Sequence, residues 1–487
     1  MKLLLNKASQ EVKQSTMVMA FSHIDADGIS ALAIVVSALQ REKKQLEWRN
    51  VHQINSETII EISQEIQKYK PDLVIFSDFG TGQIELIRNH ITIFEFVKRI
   101  IILDHHLPQD DEPVVSDLAS SKKLIEINPC HHGLNGSYDI SGAGVAFLFA
   151  MTLSEENTDL AALAIVGATG DLQDYYGKGF SGINKMILEL GTSAGYLKVT
   201  RDLTFFGINT RPLPYLLQYN TDPYLPGITG DEEACFKLLR ELNINLKSAQ
   251  DEWRVWVDLD TDEKQRIIQK LIQLIIATYN DPQMASGLIG DVVILTQRPE
   301  KTEMRNAKEF STLLNACGRN RQPEVGIRVS LGDSDAIPTG RYLLQQHRQN
   351  LAQALRLLEN GRYVSMPGCY LVDDPEIPDT IIGVVIGMAQ GSRIIPIDKP
   401  VIGISSSSAE DSPLVKLSGR AHKNLIKRGI NLKETFVLVA ETMNESYGAL
   451  VAEAGGHPMA AGAFIHKDHV AEFINRSSQH MASVLTG

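Results

Sequence analysis

Residues 16–28, TMVMAFSHIDADG, join an apolar run to a cluster of acidic residues that ends in a glycine. The run from Thr16 to Phe21 predicts a buried strand, and an almost uniformly apolar helix follows from Ile29 to about Gln40. The runs DLVIF at 72–76 and KRIIIL at 98–103 predict two further strands, with amphipathic helical stretches between them. Strands that alternate with helices form parallel βαβ units, so we expect a doubly wound α/β domain.

The composition is that of a globular protein with room for two or three domains. The 487 residues are 43% hydrophobic and 22% charged, and no apolar run approaches the length of a membrane span. Four cysteines lie far apart without a CxxC pair, and the N-terminus has too short an apolar stretch for a signal peptide. We therefore expect a cytoplasmic protein that does not associate with membranes.

The charge distribution is uneven along the chain. A net charge of -12 argues against a nonspecific nucleic-acid coat protein. Residues 391–433, however, carry eight Lys or Arg residues against three acids. This segment is a candidate for contact with a phosphate backbone.

Four segments divide the chain. We expect an α/β catalytic domain over 1–205, and an inserted, mostly helical subdomain over 206–340 on the helical periodicity of 231–279. A connector helix is predicted over 341–361, followed by a smaller α+β domain over 362–487. In that last domain, CYLV, TIIGVVIGM and PVIGIS are predicted as strands.

Acidic and histidine residues follow the apolar runs of the first domain. Ligands gather outside the carboxyl ends of the strands in an open parallel sheet, so these residues should meet in one crevice. One of them follows LAALAIVGATG, which we treat as another strand. The residues are His23, Asp25, Asp27, Asp78, Asp104, His105, His106 and Asp171.

Each of these residues alone has an ordinary explanation as a turn former or helix cap. Together they would repel one another at high cost, unless divalent cations neutralise them. A mixed His and Asp set fits Mn²⁺, with Mg²⁺ or Zn²⁺ as alternatives, better than a Ca²⁺ cage. Two ions joined by a bridging carboxylate are suited to phosphoester hydrolysis.

The order of the motifs resembles a known family. HIDADG, SDFG, LDHH and GATGD are similar to motifs I to IV of the DHH phosphoesterase superfamily, and AEAGGHPMAAGAF at 452–464 is similar to the signature of its DHH-associated C-terminal domain. FSTLLNACGRNRQPEVGI at 310–327, together with YLVDDPEIPDTIIGVVIGMA, resembles the archaeal RecJ-like branch. Members of that branch are single-strand exonucleases that associate with the replisome factor GINS.

The resemblance implies a role for each motif residue. His23 and Asp25 would hold one ion, with Asp78 as the bridge to a second. Asp27, His105 and Asp171 would complete the second site. Asp104 would orient the His105 ring, and His106 would face the scissile phosphate. The resemblance assigns phosphate binding to Ser418, Arg420, Gly455, Gly456 and His457.

The function that this resemblance implies is a two-metal, Mn²⁺-dependent exonuclease on single-stranded DNA or RNA. By family analogy it would act 5′→3′ in DNA replication and repair. Two alternatives stay open: an oligoribonuclease or cyclic-dinucleotide phosphodiesterase, and a replisome scaffold that binds GINS. The segment 206–340 favours the nuclease; it either presents the partner-binding surface or only braces the sheet.

Two other motifs are weaker candidates. His131 and His132 could form a third metal site, but a loop is the favoured interpretation. Gly142 and Gly144 lack a complete GxGxxG, which favours helix packing over dinucleotide binding.

Overall fold

The computed structural model describes residues 1–108, 124–174, 179–220, 225–279, 285–404 and 413–486. The chain forms two compact units, Met1–Leu344 and Gln345–Gly487. Two acids of the basic segment, Glu410 and Asp411, lie outside the described residues. In the part of the chain that is described, no helix is both long and apolar enough to cross a bilayer.

A five-stranded parallel sheet lies at the centre of the first unit, in the order β2-β1-β3-β4-β5. The register aligns the carboxyl ends of the strands, since Ser22 lies opposite Ser77 and Ser77 lies opposite Leu103. Residues that follow these ends therefore start from the same edge of the sheet. The strands are β1 Met17–Ser22, β2 Gln45–Asn50, β3 Leu73–Ser77, β4 Arg99–Leu103 and β5 Leu124–Ile127.

Helices cover both faces of this sheet, and alternate strand residues divide between the two. Leu73 and Ile75 belong to the core that contains the second helix, whereas Val74 and Phe76 belong to the core of the third and fourth helices. The second helix is buried on nearly all sides because the fifth and sixth helices pack against it. The helices are α1 Lys2–Gln14, α2 Ala26–Arg41, α3 Thr58–Tyr69, α4 Ile84–Ile91, α5 Gly142–Leu153, α6 Ala161–Gly170 and α7 Gly182–Ser193.

The chain then forms a smaller region with a core of its own. Trp256 is fully buried there, and its indole N–H donates to Asp202 over 2.8 Å. The region consists of an antiparallel pair, β6 Leu197–Leu203 and β7 Ile289–Leu295, with α8 Leu213–Gln218, α9 Glu232–Glu241 and α10 Thr261–Tyr279 between them.

Two further helices return to the parallel-sheet core. The first, α11 Ala307–Arg319, packs against α2 and α6, and α12 Pro323–Ser330 packs against α2. The boundary between the two units falls within the next helix, α13 Ile337–Glu359.

The second unit contains a six-stranded mixed sheet in the order β12-β13-β11-β10-β9-β8. The parallel pair β9 and β10 is joined by a crossover helix, as parallel strands require. The elements are β8 Val364–Ser365, β9 Tyr370–Asp373, α14 Asp379–Gly391, β10 Val401–Ile404, β11 Leu414–Arg420, α15 Lys423–Ile426, α16 Leu432–Tyr447, β12 Ala452–His457, β13 Ala460–His466 and α17 Val470–Thr486.

The predicted α/β fold class is confirmed, and β1, β3 and β4 begin and end within one residue of their predicted bounds. Two local predictions are wrong. TIIGVVIGM, predicted as a strand, lies in α14, and LAALAIVGATG, treated as a strand before Asp171, lies mainly in α6. Both runs are apolar on nearly every side, so periodicity cannot separate a buried helix from a buried strand. The domain divisions at residues 205, 340 and 361 stay predictions.

Candidate metal centre

The segment that leads from β1 into α2 carries three of the predicted ligands, His23, Asp25 and Asp27. The carboxylate of Asp25 caps α2 by accepting the Gly28 N–H over 3.0 Å. The same carboxylate lies 2.9 Å from Nδ1 of His23. A side chain at Gly28 would place its Cβ 2.4 Å from the carbonyl oxygen of His23, so only glycine permits this tight turn.

Asp27 lies deeper, in the first turn of α2. Its two carboxylate oxygens accept the N–H groups of Gly142 over 2.6 Å and of Ala143 over 3.0 Å. These donors form the N-terminal end of α5, where the helix dipole favours a negative charge. Gly142 thus packs within the site, and Gly144 packs against Ile140, as helix packing predicts.

Asp78 follows β3 in a strained backbone conformation. Its φ of 61° lies in the left-handed region, and its N–H donates to the carbonyl of Leu103 over 2.8 Å. A Cβ at Gly142 would lie 2.5 Å from Oδ1 of Asp78, so this glycine leaves room for the carboxylate. Oδ1 lies 3.2 Å from Nε2 of His105, and Oδ2 lies 3.9 Å from Nδ1 of His23.

The DHH segment after β4 differs in one respect from the expected roles. Nδ1 of His105 contacts the carbonyl of Gly136 at 2.7 Å, so the prediction that Asp104 orients the His105 ring is wrong. Asp104 instead accepts a hydrogen bond from the ring Nδ1–H of His106 over 2.8 Å, and further hydrogen bonds from the backbone N–H groups of His105 and Thr81. Asp104 therefore anchors the segment and the His106 ring, of which 49% is exposed.

Asp171 completes the group from the C-terminal end of α6, its C-cap position. Its Oδ2 lies 3.4 Å from Nε2 of His105, and the same nitrogen lies 3.5 Å from Oδ2 of Asp27. The His105 ring is thus in contact with three carboxylates that come from different parts of the chain.

Within the described residues, three overlapping groups of donors fit a metal ion. They are His23, Asp25 and Asp78; Asp27, His105 and Asp171; and Asp78, His105 and His106, each with ligand atoms within 4.8 Å of one another. Asp78 and His105 each belong to two groups. Oδ1 of Asp78 and Nε2 of His105 are buried without a hydrogen-bond partner in this set of residues, as expected of atoms that ligate a cation.

The electrostatics of the centre agree with this interpretation. Burial and the neighbouring charge of Asp27 raise the pKa of Asp171 to about 7, and burial with Asp27 and Asp25 raises the pKa of Asp78 well above its usual value. Burial alone would lower the pKa of His106, but the charge and hydrogen bond of Asp104 outweigh it and raise that pKa to about 9. Without a bound cation, the clustered carboxylates can reduce their mutual repulsion only by taking up protons. A bound cation would neutralise their charge and leave them ionised.

The predicted substrate-binding residues lie in the second unit, on β11 and β12, which pair with β13 from either side. Arg420 and His457 both pair with Ala460 of β13, and Ser418 and Gly455 both pair with Gly462. Arg420 and His457 therefore lie on one face of the sheet, about 10 Å apart. Gly455 and Gly456 lie within β12 and not in a turn, and Gly456 has a φ of 124°, which favours glycine at this position of the strand.

A glycine on α14 makes room for the side chain of Arg420. A Cβ at Gly383 would lie 3.0 Å from Nη2 of Arg420 and 3.2 Å from Oγ of Ser418. One turn later, a Cβ at Gly387 would lie at an ordinary contact distance of 3.7 Å from Cγ of Arg420. These two glycines were not predicted as part of the site, because TIIGVVIGM was predicted as a strand and lies in a helix.

The residues behind the candidate ligands, among them Gly136, were not predicted either. SGAG at 141–144 gave a signal for Gly142 alone, since a glycine in the first turn of a helix permits the close approach of a neighbouring group. The loop residues His131 and His132 belong to none of the three-donor groups among the described residues. Nε2 of His131 lies 3.3 Å from the buried carboxylate of Glu126.

Two family models match the chain. The DHH family N-terminal domain matches residues 17–168, and the DHH-CID domain matches residues 205–289. An uncharacterised protein of Methanocaldococcus jannaschii is 30% identical over 477 residues, which cover 97% of this chain and 96% of that protein. The single-stranded-DNA-specific exonuclease RecJ of Bacillus subtilis is 25% identical over 199 residues, 39% of this chain and 23% of that protein.

Solved structures with low identity share the fold. Exonuclease RecJ bound to manganese has a TM-score of 0.53 at 16% identity, covering 98% of this chain and 94% of that chain. RecJ of Thermus thermophilus in complex with Mn²⁺ has a TM-score of 0.56 at 16% identity, covering 99% and 55%. CDC45 from Entamoeba histolytica has a TM-score of 0.55 at 13% identity, covering 99% and 97%.

Proposed function

Because the chain belongs to the DHH superfamily as a RecJ-like protein, we propose that it is a two-metal phosphodiesterase that acts as an exonuclease on single-stranded nucleic acid. The observation that carries this proposal is the sharing of Asp78 and His105 between groups of metal donors. A shared carboxylate between two ion positions is the arrangement that phosphodiester hydrolysis uses.

We assign the ligands of each ion on the basis of these donor groups. His23 and Asp25 would hold one Mn²⁺, Asp27, His105 and Asp171 the other, with Asp78 between them and Mg²⁺ as the alternative metal. When bound, the ions would supply Lewis-acid chemistry, lowering the pKa of water and neutralising charge on the phosphate.

The side chains around the ligands have separate tasks. His106, held by Asp104 through Nδ1, would donate a hydrogen bond to the scissile phosphate from the other nitrogen of its half-exposed ring. In the second unit, Arg420 would make charge-assisted hydrogen bonds to the phosphates of the nucleic-acid strand, with Ser418, His457 and the two glycines of β12, Gly455 and Gly456, as further phosphate contacts. We place the enzyme in DNA replication and repair, with 5′→3′ polarity on single-stranded DNA.

The partner proposal concerns the segment 206–340. Tyr215, Tyr219, Phe236 and Trp253 form an aromatic patch with ring centroids 6.2 to 6.4 Å apart, and 58% of Tyr219 and 43% of Trp253 are exposed. Exposed aromatic groups of this size are enriched in protein interfaces. We assign GINS binding to this patch.

One cleavage assay tests the enzymatic proposal. End-labelled single-stranded DNA and RNA, a dinucleotide and a cyclic dinucleotide are incubated with the full chain in Mn²⁺ and in EDTA. We expect mononucleotide release from the long single strands in Mn²⁺ and none in EDTA. Cleavage restricted to the dinucleotides would instead identify a small-substrate phosphodiesterase, and no cleavage together with stable GINS binding would identify a scaffold.

A pair of matched variants tests the metal mechanism. Asp78→Ala should abolish Mn²⁺-dependent cleavage, since it removes the shared carboxylate. Asp72 precedes the same strand, β3, at its opposite end, where it accepts the N–H groups of Thr16 and Met17. Asp72→Ala should therefore retain cleavage, and near-normal turnover by Asp78→Ala would contradict the two-metal mechanism.

A further inference from the structure

Two buried amide side chains lie behind the metal ligands and have no part in the mechanism described so far. Gln173 is 1% exposed and Asn184 is fully buried. An amide is costly to bury unless its polar atoms are paired, so the partners of these two side chains indicate what they do.

The two amides form a hydrogen-bonded chain that ends at His105. Nδ2 of Asn184 donates to Oε1 of Gln173 over 2.6 Å, and Nε2 of Gln173 donates to the carbonyl of Gly136 over 2.8 Å. The same carbonyl contacts Nδ1 of His105 at 2.7 Å. Gly136 is thus the point where the chain meets the ligand ring.

This chain has only one consistent direction. A backbone carbonyl can only accept, so Nδ1 of His105 carries the proton and Nε2 keeps its lone pair toward the carboxylates. The Gln173 amide is fixed in the same way, because the reversed amide would set its oxygen 2.8 Å from the Gly136 oxygen. Asn184 secures that orientation by donating to the Gln173 oxygen.

The backbone brings these groups together by means of local constraints. Leu172 adopts a left-handed φ of 58°, which turns the chain after Asp171 so that the Gln173 N–H reaches the carbonyl of Ala168 at 2.9 Å. A Cβ at Gly136 would lie 1.7 Å from the carbonyl oxygen of His105, so only glycine permits this approach. The Gln173 amide also lies 3.5 Å from Oδ2 of Asp171, so it touches a second ligand.

We propose that Gln173 and Asn184 are positioning residues which, through the Gly136 carbonyl, hold His105 in the tautomer and orientation that bind a divalent cation. The inference rests on the proposed metal-dependent function and adds residues outside the DHH motifs to it. Hydrogen-bonded partners of a metal-bound histidine raise metal affinity by roughly 10- to 100-fold in other sites. Loss of either amide should therefore weaken Mn²⁺ binding by a factor of that size.

The test compares Gln173→Met and Asn184→Leu with a control at another buried amide. Asn157 is fully buried, donates to the carbonyl of Ala150 over 2.8 Å, and lies near the end of α5 remote from Gly142. Each full-length variant is titrated with Mn²⁺ by calorimetry after metal removal, and its thermal unfolding is followed in EDTA. We expect about 10- to 100-fold weaker Mn²⁺ binding by both test variants, and unchanged affinity in Asn157→Leu despite a comparable loss of stability.

A second measurement detects the His105 tautomer without metal. In ¹⁵N-histidine-labelled protein, long-range ¹H–¹⁵N spectra should show a proton on Nδ1 of His105 in the wild type, and a mixture of tautomers in Gln173→Met. Wild-type Mn²⁺ affinity together with an unchanged tautomer in Gln173→Met would overturn the inference. If that variant does not fold, Asn184→Leu decides by the same two readouts.

The design separates this inference from the proposed function. A wild-type protein that binds Mn²⁺ but cleaves no nucleic acid would refute the function, while the variant affinities still test the positioning role. If the wild type binds no Mn²⁺, the tautomer spectra decide: an altered tautomer supports positioning by the amides, and an unaltered one overturns it.

Discussion

Replacing Gly383 with alanine should separate the stability of the second unit from its binding to a single strand. Gly383 lies in the interior of α14, where alanine is favoured over glycine by about 0.5–1 kcal/mol. The new Cβ would meet Nη2 of Arg420 at 3.0 Å and Oγ of Ser418 at 3.2 Å, so both must move by a few tenths of an ångström. These effects oppose each other, and the free energy of unfolding should stay within about 1 kcal/mol of the wild type.

The binding effect should be larger because phosphate contacts of arginine depend on geometry. A hydrogen bond to a charged group contributes about 1.5–3 kcal/mol, and 1.4 kcal/mol corresponds to a tenfold change in Kd. Displacement of the Arg420 guanidinium should therefore weaken strand binding by about 10- to 100-fold. Arg420→Ala defines the largest loss of strand affinity expected from this position. Arg420→Lys should not restore the affinity, since lysine lacks the planar guanidinium group that binds two phosphate oxygens at once.

The assay is fluorescence anisotropy of a labelled single-stranded oligonucleotide in Ca²⁺, in place of Mn²⁺ to suppress cleavage, at several salt concentrations. Gly387→Ala is the control. Gly387 lies on the same helix as Gly383, and its new Cβ would lie at an ordinary contact distance of 3.7 Å from Cγ of Arg420. We expect Gly387→Ala to bind as the wild type does. If Gly383→Ala binds the oligonucleotide as tightly as the wild type while Arg420→Ala binds weakly, the reasoning about the glycine is refuted. If Arg420→Ala itself keeps the wild-type affinity and an unchanged salt dependence, this surface does not bind the nucleic-acid strand.

Three further predictions concern the first unit. In EDTA, Asp78→Ala should unfold at the same or a higher temperature than the wild type, because burial and neighbouring carboxylates raise the pKa of Asp78 and make its charge unfavourable; a lower melting temperature would contradict this. Burial also raises the pKa of Glu309 above its usual 4.5, so its contribution to stability is present below that pH and is lost as pH rises through the folded pKa. Glu309→Gln should then gain stability relative to the wild type as the pH is raised above about 4.5 in urea unfolding, and a constant difference would exclude this titration. Trp253→Ala should weaken co-elution with GINS, whereas Tyr447→Ala, which removes an exposed aromatic of the second unit, should not; equal binding by both would place the partner surface elsewhere.

The sequence allowed prediction of those strands whose residue pattern is set by burial in the core. β1, β3 and β4 are buried on both faces, so they read as continuous apolar runs, and the acidic residues after them could be placed at one edge of a parallel sheet. β2 was not predicted because it lies at the edge of the sheet, and its residues QLEWRN are partly exposed and largely polar. An apolar run signals burial, whereas an edge strand depends on pairing with a distant neighbour.

The sequence predicted which charged residues the fold brings together, and no other part of the candidate site. Charge clustering is visible in a sequence because the cost of burying carboxylates together is independent of the details of the fold. The roles of Gly136, Gln173 and Gly383 depend instead on which backbone or side-chain atoms approach them after folding. Neutral amides and glycines occur throughout the chain, so only their contacts distinguish these positions.

The three most buried carboxylates of the centre differ in the hydrogen bonds that the protein donates to them. This difference indicates which carboxylate depends most on a bound cation. Asp104 accepts backbone N–H groups and the His106 ring, and Asp27 accepts two N–H groups at the start of α5. Asp78 has neither: its Oδ1 faces Nε2 of His105 across 3.2 Å without an aligned hydrogen bond, on a backbone in a left-handed conformation. An asparagine or serine could occupy that position at a lower electrostatic cost if the site only stabilised the fold. The unpaired atoms coincide with the two residues shared between donor groups, so the charge that the protein leaves uncompensated lies where a pair of divalent cations would be bound.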